Sequence, residues 1–373
     1  MDVASEMVLY TLPLYLANVV GLGAGAIGLL EGAAETVASL VKLASGWLSD
    51  QLGTRKWLAV AGYGLSAAAK PLFLLGSALG ITVARLSDRV GKGVRGAPRD
   101  ALIADSITPD QRGLAFGLHR AADTAGAALG LILALLIIRW LPGPNGTLSP
   151  QAFLTIVGWS LMPAVLAVLV LAIGACEVRG PVRTGGKGLG ARRLGRPFMG
   201  LMGIVAVFEL GNSADAFLVL RAQDRGWSAD GVLLLVLGFN LVYTVSSGPA
   251  GWLSDRLGRK RLIVAGWLLY ALVYLSFSLA TEPWHVALAY AAYGLYYGLA
   301  YGTARALIAD TVPPTLRGTA YGAYNAIVGL LALPASSLAG QLWQAFSPSA
   351  PFLFGAVMAL LATGLLTVWT PRR

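Results

Sequence analysis

Six charged residues recur at steps of three and four between positions 85 and 99: Arg85, Asp88, Arg89, Lys92, Arg95 and Arg99. At helical spacing they form one stripe that rises about 21 Å at 1.5 Å per residue. The segment that carries them, from Gly80 to Ala104, is otherwise mostly apolar or small. A cationic stripe in such a setting either holds an anionic ligand by charge-assisted hydrogen bonds or is neutralised by acids close by. Acids are present: Asp2, Glu6, Glu31, Glu35 and Asp123 all fall in apolar surroundings, as do Glu209 and Asp215 further on. A dry cavity favours the neutral form of a carboxylate, so such a group can exchange a proton near neutral pH. Glu6 and Glu31 are the first candidates for that role, with Glu35, Asp123 and Asp2 beside them, and Arg120 or an arginine of the stripe would discharge whichever is protonated.

The elements that position these groups follow from composition. The 373 residues are 56% hydrophobic and 12% charged, against about 25% charged in a soluble domain, so the chain is read as an integral membrane protein. At about 20 apolar residues per crossing, twelve helices take roughly 240 residues and leave short loops, with no room for a soluble catalytic domain. Cys176 is the single cysteine, and His119 and His285 are the only histidines. No disulfide, metal site or cofactor is expected, nor an enzyme, because no nucleophile triad is apparent. A phosphate-binding G-x4-G-K-[ST] loop is absent, so no ATP-driven pump is expected.

Twelve apolar stretches are bounded by Gly, Pro or charge, at residues 2–20, 24–48, 57–77, 80–104, 114–138, 151–175, 197–220, 229–251, 262–280, 285–308, 319–343 and 351–370. If they alternate across a bilayer, sixteen Lys and Arg lie in one set of loops, and only Arg139, Arg221 and Arg225 lie in the other. That asymmetry puts both termini in the cytoplasm of a cell whose inner (plasma) membrane holds the chain. It also accounts for the net charge of +10 without nucleic acid. Residues 176–196 are rich in Gly and basic residues and read as a cytoplasmic linker between an amino-terminal bundle, 1–175, and a carboxy-terminal bundle, 197–373.

The two halves repeat. GWLSDQLGTRK from Gly46 returns as GWLSDRLGRKR from Gly251, and ALIAD at 101–105 returns at 306–310, both 205 residues on. The same shift carries Arg112 onto Arg317. A duplicated six-helix unit with substrate bound near the midplane is a transporter architecture. The two loops resemble the Gly-x-Leu-x-Asp-x-x-Gly-x-Arg/Lys-Arg/Lys motif of the major facilitator superfamily, and the resemblance covers essentially the whole chain. It implies an all-α membrane protein with twelve transmembrane helices in two pseudo-symmetric six-helix bundles, working by alternating access. It also implies that these loops latch the cytoplasmic side. Gly46 and Gly251 are expected to permit close helix approach, Gly53 and Gly258 a tight turn, Asp50 and Asp255 to suit a helix N-terminus, and Arg55 with Lys56 to sit at lipid headgroups. Arg99, Asp100, Asp105, Arg112, Arg305, Asp310 and Arg317 join the same gating set. The first stretch starts at residue 2, earlier relative to its charges than in the family, which leaves open a short first helix or a chain that starts late.

Shifted by 205, Arg85 falls on Tyr290, Asp88 on Tyr293 and Lys92 on Tyr297, with Tyr301 next to the image of Arg95. In the family the first, fourth, seventh and tenth helices line the central cavity, so the resemblance implies cations on one wall and tyrosines on another. Two alternatives stand beside this: the charges form an internal salt-bridge network, as i,i+4 pairs such as His119 and Asp123 suggest, and the tyrosines are ordinary packing. Lys42 and Lys70 either join the network or snorkel to an interface. Gly91, Gly93, Gly96 and Pro98 suggest a hinge in the charged helix. Gly117, Gly126 and Gly130 match the family's antiporter spacing, except that Leu131 stands where proline is expected. The resulting expectation is a monomeric, proton-coupled exporter of a small anionic or zwitterionic organic solute. A multidrug exporter of lipophilic cations, with Glu6, Glu31 and Asp123 as counter-charges, and an importer of a metabolite or siderophore are the alternatives.

Overall fold

The computed structural model describes residues 1–106, 112–177, 194–312 and 317–370; for 50, 104, 105, 112–118, 120, 121, 255, 309 and 317–319 only the backbone is described. The described residues form α-helices α1 (Asp2–Leu9), α2 (Thr11–Asn18), α3 (Ala24–Leu52), α4 (Lys56–Ala69), α5 (Ala78–Asp105), α6 (Arg112–Trp140) and α7 (Pro150–Gly174). There follow α8 (Gly195–Leu210), α9 (Ala216–Asp224), α10 (Ala229–Leu257), α11 (Arg259–Leu279), α12 (Pro283–Thr311), α13 (Arg317–Ala345) and α14 (Ala350–Val368). A 3-10 segment, Lys70–Leu75, prolongs α4. Helices α3 and α10, and likewise α6 and α13, start and end 205 residues apart, so the sequence repeat is a repeat of structure.

Among the described residues eight helices are long and apolar enough to cross a membrane: α3, α4 with its 3-10 extension, α6, α7, α10, α11, α13 and α14. The protein is a multi-pass membrane protein. The stretches that fall short among the described residues are the first, fourth, seventh and tenth of the sequence. Two are broken. Pro13 has no N–H to give the Leu9 carbonyl and its ring crowds that oxygen, and α1 ends at Leu9. The seventh stretch breaks at 211–215, and its second piece, α9, begins 205 residues after α2. The other two, α5 and α12, are diluted by charge and by tyrosine.

The chain divides into two compact units, Met1–Leu22 with Ala33–Gly186, and Gly23–Gly32 with Lys187–Arg373. The first ten residues from Gly23 thus group with the second unit, unlike the expected division at 175. Small residues explain it: a Cβ on Gly28 would lie 2.5 Å from the Ser336 carbonyl oxygen, and one on Gly340 would lie 2.6 Å from Gly25 Cα. Most of the expected linker, 178–193, lies outside the described residues.

Within the first unit, α4 packs on α5 and α7, and α1 on α6 and α7; within the second, α11 packs on α12 and α14, and α8 on α13 and α14. The two units thus use the same pairings. Helix α5 runs unbroken through Pro98, and its glycines serve packing rather than a break. A Cβ on Gly91 would meet the Gly62 carbonyl oxygen of α4 at 2.7 Å, and one on Gly93 would meet the Ala38 carbonyl oxygen of α3 at 2.7 Å. Gly130 of α6 does the same for α1, since its Cβ would sit 2.5 Å from the Val3 carbonyl oxygen.

Candidate functional site

In the first unit the charged stripe of α5 is sunk into the fold. Arg85, Arg89 and Arg95 are 3%, 6% and 5% exposed and Asp88 is 8% exposed. Each arginine is held. Arg95 Nη1 donates to Ser66 Oγ at 2.6 Å, and its guanidinium lies 4.8 Å from the centre of the Tyr63 ring. Arg89 Nη1 pairs with Glu35 Oε2 at 3.3 Å, with the Glu35 side chain half exposed. Lys70, from the 3-10 segment, is 2% exposed and its Nζ donates to the Ala4 carbonyl oxygen at 2.8 Å. It therefore does not snorkel, whereas Lys42 is exposed, with its stem laid against Gly96.

Asp88 feels the charges of Lys70, Arg89, Arg85 and Arg95, yet its Oδ1 is buried with no hydrogen-bond partner among the described residues. Lys92 is exposed. The stripe is thus largely a network of held charges, with Lys92 as its exposed cation. Five bases (Lys70, Arg85, Arg89, Lys92 and Arg95) stand against Asp88, Glu35, Glu6 and Asp2, so the local excess is one positive charge. Glu6 and Asp2 are half-buried on α1, Asp123 lies 3.5 Å from His119 Nε2, and Asp2 is within side-chain hydrogen-bond reach of Asp123. Glu31 is buried and is grouped with the second unit, whereas Asp2, Glu6, Glu35 and Asp123 are in the first. The Arg120 side chain lies outside the described residues.

The second unit holds an aromatic cluster around the break between α8 and α9. Tyr290 and Tyr293 are buried, Tyr297 meets Tyr293 edge to face at 5.0 Å, and Tyr301 is exposed, receiving a hydrogen bond from Arg305 Nη2 at 3.2 Å. Part of the tyrosine face is therefore packing: Tyr270 stacks on Tyr274 at 4.1 Å and Tyr293 on Phe239 at 5.4 Å. Its polar ends converge on the break, where Tyr293 donates to Asp215 Oδ1 at 3.1 Å, Asn212 Nδ2 to Glu209 Oε2 at 3.0 Å, and Tyr270 to Asn212 Oδ1 at 3.2 Å. The Tyr290 hydroxyl is buried with no hydrogen-bond partner among the described residues. Sequence reasoning noted Glu209 and Asp215 only as acids. The signal that places them together is the Gly211-Asn212-Ser213 run inside an apolar stretch, three poor helix formers in a row.

The duplicated loops differ in detail. Gly53 and Gly258 turn the chain at φ +64° and +92°, as expected. A Cβ on Gly46 would lie 3.2 Å from Ala97 Cβ, a close approach to α5, but one on Gly251 would meet nothing within 4 Å among the described residues. Asp50 and Asp255 fall in the last turns of α3 and α10, not at the start of a helix, and the dipole of their own helix disfavours a carboxylate there; their side chains lie outside the described residues. Arg55 is buried and so is not at a headgroup, while Lys56 rests over Trp57 at 4.9 Å.

The N–H groups of Arg55 and Lys56 donate to the Glu177 carboxylate at 2.7 Å and 3.1 Å. That carboxylate, unforeseen in the sequence, caps the start of α4. Asp310 pairs with Arg259 at 3.0 Å and Asp100 with Arg99 at 3.0 Å. The side chains of Asp105, Arg112, Arg317 and Gly117's neighbourhood lie outside the described residues. Arg221, expected in a loop, is instead in α9 and 1% exposed.

A family model described as Major Facilitator Superfamily matches residues 1–208 and 198–373. An uncharacterized MFS-type transporter of Methanocaldococcus jannaschii is 34% identical over 378 residues, covering 99% of this chain and 91% of that protein. The 3-(3-hydroxy-phenyl)propionate transporter of Escherichia coli is 30% identical over 165 residues, covering 43% of this chain and 38% of its own. Among solved structures, a nucleoside transporter superposes with a TM-score of 0.79 at 11% identity, covering 98% of this chain and 96% of its own. A human organic anion transporter superposes with a TM-score of 0.71 at 16% identity, covering 98% and 96%. At those identities the likeness is one of fold.

Proposed function

Because the chain belongs to the major facilitator superfamily and is on that ground a secondary transporter, we propose that it exports a small organic anion or zwitterion in exchange for protons. The observation that carries the substrate class is the positive excess on α5. Arg85, Arg89 and Arg95 are buried along this face, and Lys92 beside them is exposed. A solute carboxylate or phosphate that reaches Lys92 meets a positive field and can accept a charge-assisted hydrogen bond. A lipophilic cation meets repulsion on the same face, which weighs against the multidrug alternative.

The charged pairs at the ends of α5 and α12 support a gating role. Arg259 with Asp310, and Arg99 with Asp100, are ion pairs beside the duplicated loops. In alternating access they hold one state until substrate binding offsets their loss. The distribution of loop charges supports a cytoplasmic position for both termini, and the protein is proposed to act as a monomer in the inner (plasma) membrane.

The test is a flux measurement. The full-length protein in proteoliposomes is given a panel of labelled organic anions, zwitterions and lipophilic cations, with and without an imposed proton gradient. Gradient-driven movement of an anion or zwitterion, abolished by an uncoupler and weakened selectively by Lys92→Gln, is the expected result. Transport indifferent to the gradient removes proton coupling, and transport of cations alone removes the substrate class.

A further inference from the structure

The carboxylates of the first unit that sequence reasoning favoured as proton carriers have charged company. Glu35 pairs with Arg89 at 3.3 Å, Asp123 faces His119 at 3.5 Å and also Asp2, and Glu6 lies among Lys92, Asp2, Arg89 and Arg85. A proton arriving at any of these three carboxylates therefore disturbs a network of charged neighbours.

Glu209 stands in a different setting. It is the penultimate residue of α8, directly before the break. Its Oε2 accepts one hydrogen bond, from the neutral Asn212 amide at 3.0 Å, and no ion pair joins it to a cation among the described residues. The ionisable groups that face it from the packed helices are tyrosines: Tyr270 of α11, Tyr296 of α12 and Tyr324 of α13. Helix α14 contributes no ionisable side chain at all. Asp215, on the far side of the break, is tied to Tyr293, and the one arginine of α12, Arg305, is exposed and engaged with Tyr301.

The break also frees backbone polarity. The Gly211 carbonyl oxygen is taken by Tyr270 Oη at 3.3 Å, and the last carbonyls of α8 place the negative end of its dipole at Glu209. The rings around the break are in mutual contact, with Phe208 4.8 Å from Tyr270 and Tyr270 4.9 Å from Tyr296. A ligand that requires no volume is accommodated without moving them. The buried Tyr290 hydroxyl, unpartnered among the described residues and in the field of Asp215, is a further polar group available on that side.

We propose that Glu209 is the side chain that takes up and releases the coupling proton, with Asn212 and Tyr270 as the positioning residues that fix it. The assignment rests on the proton-coupled reading above. A proton from bulk water adds to Oε1, which makes no hydrogen bond to a described residue, and converts the carboxylate to the neutral acid. The Asn212 amide continues to bond Oε2 in both forms. Release reverses the step, and no other bond is made or broken.

The experiment uses the full-length protein in liposomes and the proton itself as ligand. Infrared difference spectra between acidic and alkaline buffer report the carbonyl stretch of protonated carboxylic acids. The expected result is a pH-dependent band that disappears in Glu209→Gln and shifts in frequency in Asn212→Ala, because the amide no longer bonds the acid. A band that survives in Glu209→Gln and is lost in Glu6→Gln, Glu35→Gln or Asp123→Asn overturns the assignment and leaves proton coupling standing. A Glu209-dependent band together with wild-type flux indifferent to a proton gradient upholds Glu209 as the protonation site and overturns its coupling role. Melting temperature in both buffers accompanies each variant; Glu209→Gln is expected to melt like the wild type in acidic buffer, where Glu209 is neutral, and a drop of several degrees there overturns the proposal.

Discussion

Lys70 Nζ and the Ala4 carbonyl oxygen form a 2.8 Å hydrogen bond in the interior of the first unit. It ties the 3-10 end of the α4 segment to α1, the short helix that Pro13 cuts off from α2. Hydrogen bonds to charged groups contribute about 1.5–3 kcal/mol. Lys70→Met, which keeps the volume and loses the charge, is expected to destabilise the protein by that order, read as a lowered melting temperature in detergent. Lys42→Met, on an exposed side chain, is expected to change it little.

Arg221 performs a comparable task in the second unit. It donates to the carbonyl oxygens of Phe277 at 3.0 Å and Ser278 at 3.1 Å, to Ser349 Oγ at 3.0 Å and to Asp224 at 2.6 Å. One guanidinium thus closes the end of α11 and reaches the start of α14. Its removal strands several buried acceptors, so Arg221→Ala is expected to cost about 3 kcal/mol or more, with Arg221→Lys intermediate because an ammonium lacks the planar fork. Denaturation monitored by intrinsic fluorescence of the second-unit tryptophans checks it.

The duplicated loops supply a comparison in which sequence and structure disagree. Gly251→Ala adds a methyl group where nothing among the described residues lies within 4 Å, whereas Gly258 holds φ +92°. The first substitution is expected to be neutral within about 0.5 kcal/mol and the second to cost about 1 kcal/mol or more. Thermal stability and expression yield of the two variants separate them, and equal losses are the outcome that contradicts this assignment.

Glu177 caps α4 through the N–H groups of Arg55 and Lys56. Loss of such a cap costs roughly 1 kcal/mol, so Glu177→Ala is expected to lower stability by that order, and Glu177→Gln by less. The same substitution loosens the first residues after α7 from the duplicated loop; limited proteolysis in the presence and absence of high salt measures it.

The repeat was legible to the residue, because a duplication leaves both a motif and an offset, and the helix ends obey the same offset. The charged stripe was legible as a stripe, because period and burial follow from spacing. What escaped is the set of partners. Lys70, Arg221 and Glu177 bond backbone groups distant in sequence, and a backbone carbonyl or N–H has no residue type to betray it. The break at 211–215 escaped for another reason: an average over an apolar stretch absorbs three poor helix formers without changing sign. Asp50 and Asp255 fall outside the apolar stretches 24–48 and 229–251, whose hydropathy ends before them, whereas α3 and α10 run on to Leu52 and Leu257.

The charge content of α5 also constrains how the chain is made. At about 2.5–3.5 kcal/mol for each charged residue presented to the bilayer centre, a segment with seven of them within Arg85 to Asp100 cannot partition into lipid alone as it leaves the ribosome. The glycine-lined seam with α4, where Gly62 and Gly91 bring the two backbones together, provides the surface against which it enters. Biogenesis of the first unit is therefore expected to proceed by helical hairpins rather than single helices, with α4 waiting at the translocon for its successor.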